Sequence, residues 1–357
     1  MRLPIQFAIF ISLFLTLTFI LHYYILFHLT YMFGIPRNLW FWLFYLIASL
    51  SFMLSMGLQM RTSNLAVRIF HIISAIWFGV LFLILFTLIG YDIARLFIDI
   101  DPTQAGIAIV TFIVIVSTYS VVNAYFVRIR QIKIPGNGLG NGLKIVQLSD
   151  LHIGPVHSIG FLKKIVKRTN ELDPDLVLIT GDLADGTTIY SESIFAPIND
   201  FKAPVYFTTG NHEYYGGLDQ ILAMINKTKA RILRNEKVDV NGVEIIGLDD
   251  TGDNHAIMQK IKQLTPNLNK YTILMHHRPL GLENAQKLGV NLMLSGHTHS
   301  GQFFPMTVFA KLVWKRFKGL YQYKDTYLYS SSGTGTWGPP LRLGSSSEIT
   351  LLRVTDN

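Results

Sequence analysis

The sequence predicts an α/β domain preceded by four membrane-crossing helices, and three observations carry that prediction. Charge is segregated. Up to Val127 only Arg2, Arg37, Arg61, Arg68 and Arg95 and the acids Asp92, Asp99 and Asp101 interrupt an apolar chain. Four apolar runs in that stretch each reach the roughly 20 helical residues that a hydrocarbon core requires. Beyond it, short apolar runs of strand type alternate with amphipathic stretches, the pattern of an α/β domain whose ligands gather at strand carboxyl ends.

The expected spans cover residues 5–27, 39–58, 69–90 and 107–127, together a membrane region of residues 1–127. Gly34 and Pro36 separate the first two, residues 61–68 the second and third, and residues 99–102 the last two. Tyr23, Tyr24, Trp40 and Trp42 cluster near span ends, where amphipathic rings sit at the headgroup level. The first run is longer than an ordinary signal-peptide core and no small-residue cleavage site follows it, so an uncleaved span is expected. Basic residues near the span ends set the orientation. Arg2, Arg61, Arg68, Arg128, Arg130 and Lys133 fall on one side, and only Arg37 and Arg95 on the other. Six against two predicts a multi-pass protein whose catalytic domain faces the cytoplasm. His22, His28 and His71 lie in or near the spans. No carboxylate recurs at a matching depth, so helix-packing or interfacial roles are expected for them.

The formal net charge of +8 belongs mostly to the part after Val127. It fits a membrane-facing surface, a nucleic-acid patch or a solvated face. The chain has no cysteine, which excludes disulfides and thiolate metal sites. Any metal must be held by His, Asp, Glu, Asn or backbone oxygen.

Residues 128–142 read as a linker and first strand, with an Asn-Gly-rich turn before a second strand at residues 144–148. The domain proper then runs over residues 143–357. "DLVLITGD", "APVYFTTGNHE", "YTILMHH" and "VNLMLSGHTH" read as buried strands ending in polar residues, and residues 160–171 and 217–230 carry helical spacing. The strand ends hold metal-ligand types in order: Asp150 and His152; Asp182; Asn211, His212 and Glu213; His276 and His277; His297 and His299. Any one cluster alone is weak evidence. Five in order, each closing an apolar strand, place their side chains around one crevice. Pairs that skip a residue, Asp150/His152 and His297/His299, point both side chains to one face of an extended segment. A donor set of Asp, Asn and His without thiol suits Mn, Fe, Zn or Mg. A shared carboxylate such as Asp182 bridges two cations, and two ions about 4 Å apart stabilise both attacking and leaving oxygens of a phosphoryl displacement. Glycines before Asp182, Asn211 and His297 permit close backbone approach.

The order D-x-H, G-D, G-N-H-E, H-x-P, G-H-T-H resembles the calcineurin-like metallophosphoesterase superfamily. "SDLHIG", "GNHEYY", "SGHTHSGQ" and the later "GTGTWGPPLRL" are similar to its bacterial membrane-associated branch. The match covers residues 143–354, outside the four spans. The resemblance implies two facing mixed β-sheets flanked by helices. It implies a first divalent ion held by Asp150, His152, Asp182 and His299. A second would be held by Asp182, Asn211, His297 and one histidine of the pair 276–277, with the proline register selecting His277 and leaving His276 beside it. His212 would protonate the leaving oxygen or steady the phosphoryl group.

Several neighbours carry two readings each. Asp185 is a metal-shell support or a turn residue. Asp249 and Asp250 orient a ligand histidine or belong to a surface loop. Arg342 binds a substrate phosphate oxygen or pairs with an acidic neighbour. If residues 308–320 are helical, Lys311, Lys315 and Lys318 share one face, either as a bilayer-facing cap beside the site or as an ordinary solvated face.

The resulting expectation is a membrane-anchored dinuclear hydrolase of a phosphomonoester, phosphodiester or pyrophosphate bond, with a metal-bridging hydroxide as nucleophile. A lipid-linked substrate is favoured because four spans exceed what tethering requires. The alternatives are a non-catalytic membrane scaffold with a phosphoesterase-like domain, and a metal-dependent nuclease. The ligand set has no vacancy, which argues against the first. No basic and aromatic tract beyond residues 308–320 supports the second, so nucleic acid is not the favoured partner.

Overall fold

The computed structural model describes residues 5–136, 139, 142–240 and 242–356. Apart from Leu139, the central residues of the expected Asn-Gly-rich turn lie outside them. The chain divides into two compact units, Met1–Val121 and Val122–Asn357.

Four helices dominate the first part: α1 (Ile5–Met32), α2 (Leu39–Gln59), α3 (Leu65–Ala94) and α4 (Pro102–Tyr125). Each is long and apolar enough to cross a membrane. All four extend past the apolar runs at one end at least, because caps as well as hydropathy set helix ends. The Asn38 side chain accepts from the Trp40 and Phe41 N–H groups to start α2, and Asn64 accepts from Val67 to start α3 inside the expected connector. α3, at 30 residues, is about 45 Å long and overruns a ~30 Å hydrocarbon core. Asp92 near its end is then free to meet a polar partner. His28 Nε2 lies 3.1 Å from Asp92 Oδ2, and Tyr24 donates to the same oxygen at 2.6 Å. This corrects the expectation that no carboxylate matches the span histidines. The other two histidines do serve packing. Trp77 donates to His22 Nε2 at 3.0 Å, and His71 Nδ1 meets Ser55 Oγ at 3.1 Å.

The second unit follows as β1 (Arg128–Pro135), β2 (Leu143–Leu148), α5 (Ile159–Glu171), β3 (Leu176–Thr180), β4 (Val205–Thr208), α6 (Asn211–Tyr215), α7 (Leu218–Ile225) and β5 (Arg231–Ile232). Next come β6 (Glu236–Val240), β7 (Val243–Gly247), α8 (Asn254–Leu264), β8 (Tyr271–Met275), α9 (Leu282–Lys287) and β9 (Leu292–Ser295). The chain ends with α10 (Met306–Val313), β10 (Gly319–Tyr323), β11 (Thr326–Ser330) and β12 (Glu348–Thr355). Two six-stranded sheets result, ordered β1-β12-β2-β3-β4-β5 and β10-β11-β9-β8-β7-β6. Both are mixed: β2, β3 and β4 run parallel, as do β7, β8 and β9, while β12 opposes β2 and β6 opposes β7. The strands flanking the Asn-Gly-rich turn do not pair with each other, because β12 lies between them.

The period-2 alternation of strands builds the layers. Ile145 of β2 and Leu176 and Leu178 of β3 face Ile245, Ile273 and Leu292 of the other sheet in one buried cluster. Their neighbours Val146, Leu148, Val177 and Ile179 turn outward onto Leu162, Ile165 and Ile225 of α5 and α7. On the far side Ile246, Leu274 and Met293 pack against Ile257, Ile261 and Leu282 of α8 and α9. Each such fully buried aliphatic side chain contributes roughly 1.5–3 kcal/mol. That burial holds the two sheets face to face, with their parallel strands ending in one place.

Candidate metal centre

The loops leaving the carboxyl ends of β2, β3 and β4 bring Asp150, His152, Asp182, Asn211 and His212 to that place. The loops leaving β8 and β9 bring His276, His277, His297 and His299 from the facing sheet. The backbone there is unusual. Asp150, His152, Asp182, His297 and His299 all have left-handed φ angles between 47° and 70°. Non-glycine residues rarely adopt that region, and such strain concentrates at functional sites. Two glycines are required by proximity alone. A Cβ on Gly296 would stand 1.9 Å from Ser149 Oγ, and one on Gly210 would stand 2.1 Å from Asp182 Oδ1.

The side chains form three overlapping triads, one of them His152, Asp182 and His212. Ligand atoms of Asp150, His152 and His299 lie within 4.8 Å of one another, and so do those of Asp182, His277 and His297. His152 Nε2 and His299 Nε2 face each other at 3.0 Å, and His299 Nε2 is 3.3 Å from Asp150 Oδ1. Asp182 Oδ2 joins the triads, 3.0 Å from His277 Nε2 and 3.7 Å from His152 Nε2. The buried Asn211 Oδ1 makes no hydrogen bond, although buried amide oxygens nearly always do. Facing imidazole nitrogens, converging carboxylates and an orphaned amide oxygen are the donor set a pair of divalent cations requires, so the residues fit that expectation.

The electrostatics agree. Burial, then the neighbouring His212, hold His152 well below its ordinary pKa. Burial and His152 do the same to His299, and burial with His277 pushes His297 down to about 3. These neutral rings offer lone pairs. Burial opposes charge on His277, but the Asp182 carboxylate outweighs it and raises the imidazole to about 10. Burial likewise opposes charge on Asp182, and His277 overcomes it and holds that carboxyl below its usual range. A proton shared by this pair balances the buried charge, and a cation bound there would replace it.

The two histidines of the pair face different partners. His277 Nε2 meets Asp182 while its Nδ1 donates to the Thr180 carbonyl at 2.9 Å. His276 turns its Nδ1 to the Arg278 carbonyl instead, at 2.8 Å. His212 is held through Nδ1 by the Asp185 carbonyl at 2.5 Å, leaving Nε2 4.0 Å from Asp182 Oδ2. Asp185 therefore contributes its backbone, and its carboxylate is taken by Thr187. Asp249 and Asp250 each pair with an arginine. Asp249 is chelated by Arg234 at 2.8 and 3.0 Å, and Asp250 by Arg278 at 2.9 Å.

Arg342 departs most from expectation. It is fully buried, and its guanidinium donates to the carbonyls of His299, Ser332 and Gly335 at 2.7–2.8 Å. Burial without a carboxylate in contact lowers it to about 10. Its two terminal nitrogens are engaged by those carbonyls and by Ser345 Oγ, and the buried Nε makes no hydrogen bond, so Arg342 ties the His299 loop in place.

Glu213, which closes the "GNHE" motif and stands among the strand-end residues without an assigned role, acts as a staple. Fully buried, it accepts from the N–H groups of Asp182 and Gly210 through Oε2 and of Ala184 through Oε1, at 2.7–3.0 Å. Its position three residues after the cap of α6 is the capping-box signal for that role. Burial, reinforced by Asp182, pushes it up to about 8. The expected helix at residues 308–320 is shorter. α10 stops at Val313, and the chain is drawn inward where Trp314 packs on the His297 ring, with centroids 5.0 Å apart, and Arg316 pairs with Glu283.

Comparison with known proteins agrees with this architecture. The family model described as calcineurin-like phosphoesterase matches residues 143–301. A metallophosphoesterase of Helicobacter pylori strain J99 is 35% identical over 240 residues, which is 64% of each chain. This chain thus spans just under two thirds of that relative's length. A metallophosphoesterase of Aquifex aeolicus is 32% identical over 256 residues, 68% of this chain and 97% of the relative. A Bos taurus protein named as a transmembrane protein with metallophosphoesterase domain is 36% identical over 236 residues, 59% of this chain and 53% of its own. Facing mixed sheets, the His and Asp triads at their shared end and these relatives together make the chain a member of the calcineurin-like phosphoesterase family, with four helices of membrane-spanning length at its amino end.

Proposed function

We propose that the chain is a membrane-anchored, metal-dependent hydrolase of a phosphoester or pyrophosphate bond, with residues 143–357 as its catalytic domain on the cytoplasmic face. The observation that carries this is the convergence of Asp150, His152 and His299 with Asp182, His277 and His297 beside the orphaned Asn211 oxygen. One divalent ion would be held by Asp150, His152, Asp182 and His299. The other would be held by Asp182, Asn211, His277 and His297. Bound there, two such ions supply the Lewis acidity that activates water and steadies the phosphoryl oxygens. Mn, Fe, Zn and Mg all suit this donor set.

The chain's own residues do the rest. Asp182 divides its labour: Oδ1 accepts the His212 N–H at 2.9 Å, and Oδ2 faces the ligand histidines. His212 Nδ1–H is fixed on the Asp185 carbonyl, so only Nε2 is available to the substrate. As the water oxygen bonds to phosphorus and the bond to the leaving oxygen breaks, a His212 ring carrying protons on both nitrogens gives that oxygen the Nε2 proton, and the proton released by the attacking water restores it. A lipid-linked substrate fits a site carried by a chain with four spanning-length helices.

The test is His212→Ala. Both ions should remain, by elemental analysis, while the rate falls about 10²–10⁴-fold, the usual worth of general acid–base assistance. The loss should shrink for a nitrophenyl phosphate, whose leaving group needs little protonation. Equal losses for good and poor leaving groups would count against the acid role, and loss of metal would make His212 a ligand.

A further inference from the structure

The helix beside the metal centre has no apolar surface to cover. α5, α7 and α8 each bury one face against a sheet, whereas α10 has no buried residue. Val308, Phe309, Leu312 and Val313 recur at helical spacing along it, and Leu312 and Val313 are 77% and 74% exposed. Phe304, just before the helix, is exposed as well. A contiguous exposed apolar stripe of this kind marks an interaction surface.

Two further observations identify what covers it. The first is charge. Residues 306–318 carry Lys311, Lys315, Arg316 and Lys318 and no acidic residue. Lys315 and Arg316 turn to Glu283, while Lys311 and Lys318 have no acidic partner among the described residues. The second is position within the unit Val122–Asn357, which includes the last turn of α4. In that turn Asn123 donates to the carbonyls of Arg342 and Ser345 at 2.9 and 3.1 Å, and the Ala124 carbonyl accepts from Ser347 at 3.0 Å. The same strip of chain holds the approach to α10, since Phe304 N–H donates to the Leu343 carbonyl at 2.9 Å. α10 therefore begins beside the point where the fourth spanning-length helix ends.

From the apolar stripe, the uncompensated lysines and this shared anchorage, we infer that α10 is an interfacial helix. It lays Phe309, Leu312 and Val313 into the acyl boundary of an anionic leaflet, with Lys311 and Lys318 among the headgroup phosphates. Trp314, directly after it, packs on the His297 ring, so docking sets the mouth of the metal centre at headgroup level.

The chain has no cysteine, so one introduced residue takes a label uniquely. Leu312→Cys carries a bimane fluorophore on the full chain in vesicles of phosphatidylcholine and phosphatidylglycerol. Leu268→Cys is the control: it is 78% exposed and lies before the amino end of β8, whereas the ligand histidines follow its carboxyl end. The label at 312 should be quenched severalfold more than that at 268 by lipids bearing a nitroxide on the acyl chain, and severalfold less by aqueous iodide. Adding Lys311→Glu and Lys318→Glu should reduce the lipid quenching in these vesicles. Equal quenching of 312 and 268 by both agents would overturn the inference. So would protection from iodide without lipid quenching, which would assign the stripe to a protein partner or a second copy. The measurement reads depth and not turnover, so it stands or falls separately from the proposed hydrolysis.

Discussion

Asp182 meets partners on both oxygens: a backbone N–H on one, and His277, His152 and His212 around the other. Its charge is what joins the triads. Asp182→Asn should therefore lower the bound metal measured by elemental analysis and abolish hydrolysis, because a neutral amide supplies no bridging charge. Full activity with unchanged metal would remove the two-ion reading. The sequence already pointed to Asp182 and to the other ligand types, because each directly follows an apolar strand whose end position fixes its neighbourhood. It left His276 and His277 to be separated by a family register, since adjacent residues in a loop differ only in where the loop turns them. The Arg278 carbonyl that holds His276 lies two residues along the same loop, whereas the Thr180 carbonyl that holds His277 is brought to it from 97 residues away by folding alone.

Among the elements, helix ends were partly legible. Asn38 and Asn64 are recognisable cap residues, and Pro102 opens α4. The pairing of α1 with α3 through Tyr24, His28 and Asp92 was not, because 64 residues separate His28 from Asp92 and no local pattern links them. Side chains there are partly exposed, and such pairs are typically worth about 0.2–1 kcal/mol. Asp92→Asn should accordingly lower the melting temperature of the detergent-solubilised chain only slightly and leave hydrolysis intact. Loss of hydrolysis in a folded Asp92→Asn protein would give the pair a functional role instead. The end of α10 is a tertiary decision of the same kind. Local spacing continues a helix past Val313, but Trp314 and Arg316 gain partners at His297 and Glu283 only if the chain leaves the helix.

For the whole molecule, the bias of basic residues toward one side of the spans predicts that the C-terminal domain faces the cytoplasm. A reporter fused after Asn357 measures this. Fluorescent protein should be bright and alkaline phosphatase inactive, and strong phosphatase activity would put the domain and its substrate on the outer side. The sequence by itself determined the division into an apolar helical part and an α/β part, and the order of strands that end in ligand residues. Both are local properties: hydropathy over about 20 residues for a span, and period-2 apolar runs for a strand. Only the tertiary structure decided that β12 enters between β1 and β2, that Glu213 staples the Asp182 and Asn211 loops, and that Arg342 ties down the His299 loop. Each of these depends on hydrogen-bonding groups distant in sequence finding partners once water is excluded. Burial makes an unpaired group costly, and which partner satisfies it is set by the packing of the two sheets rather than by the residues beside it.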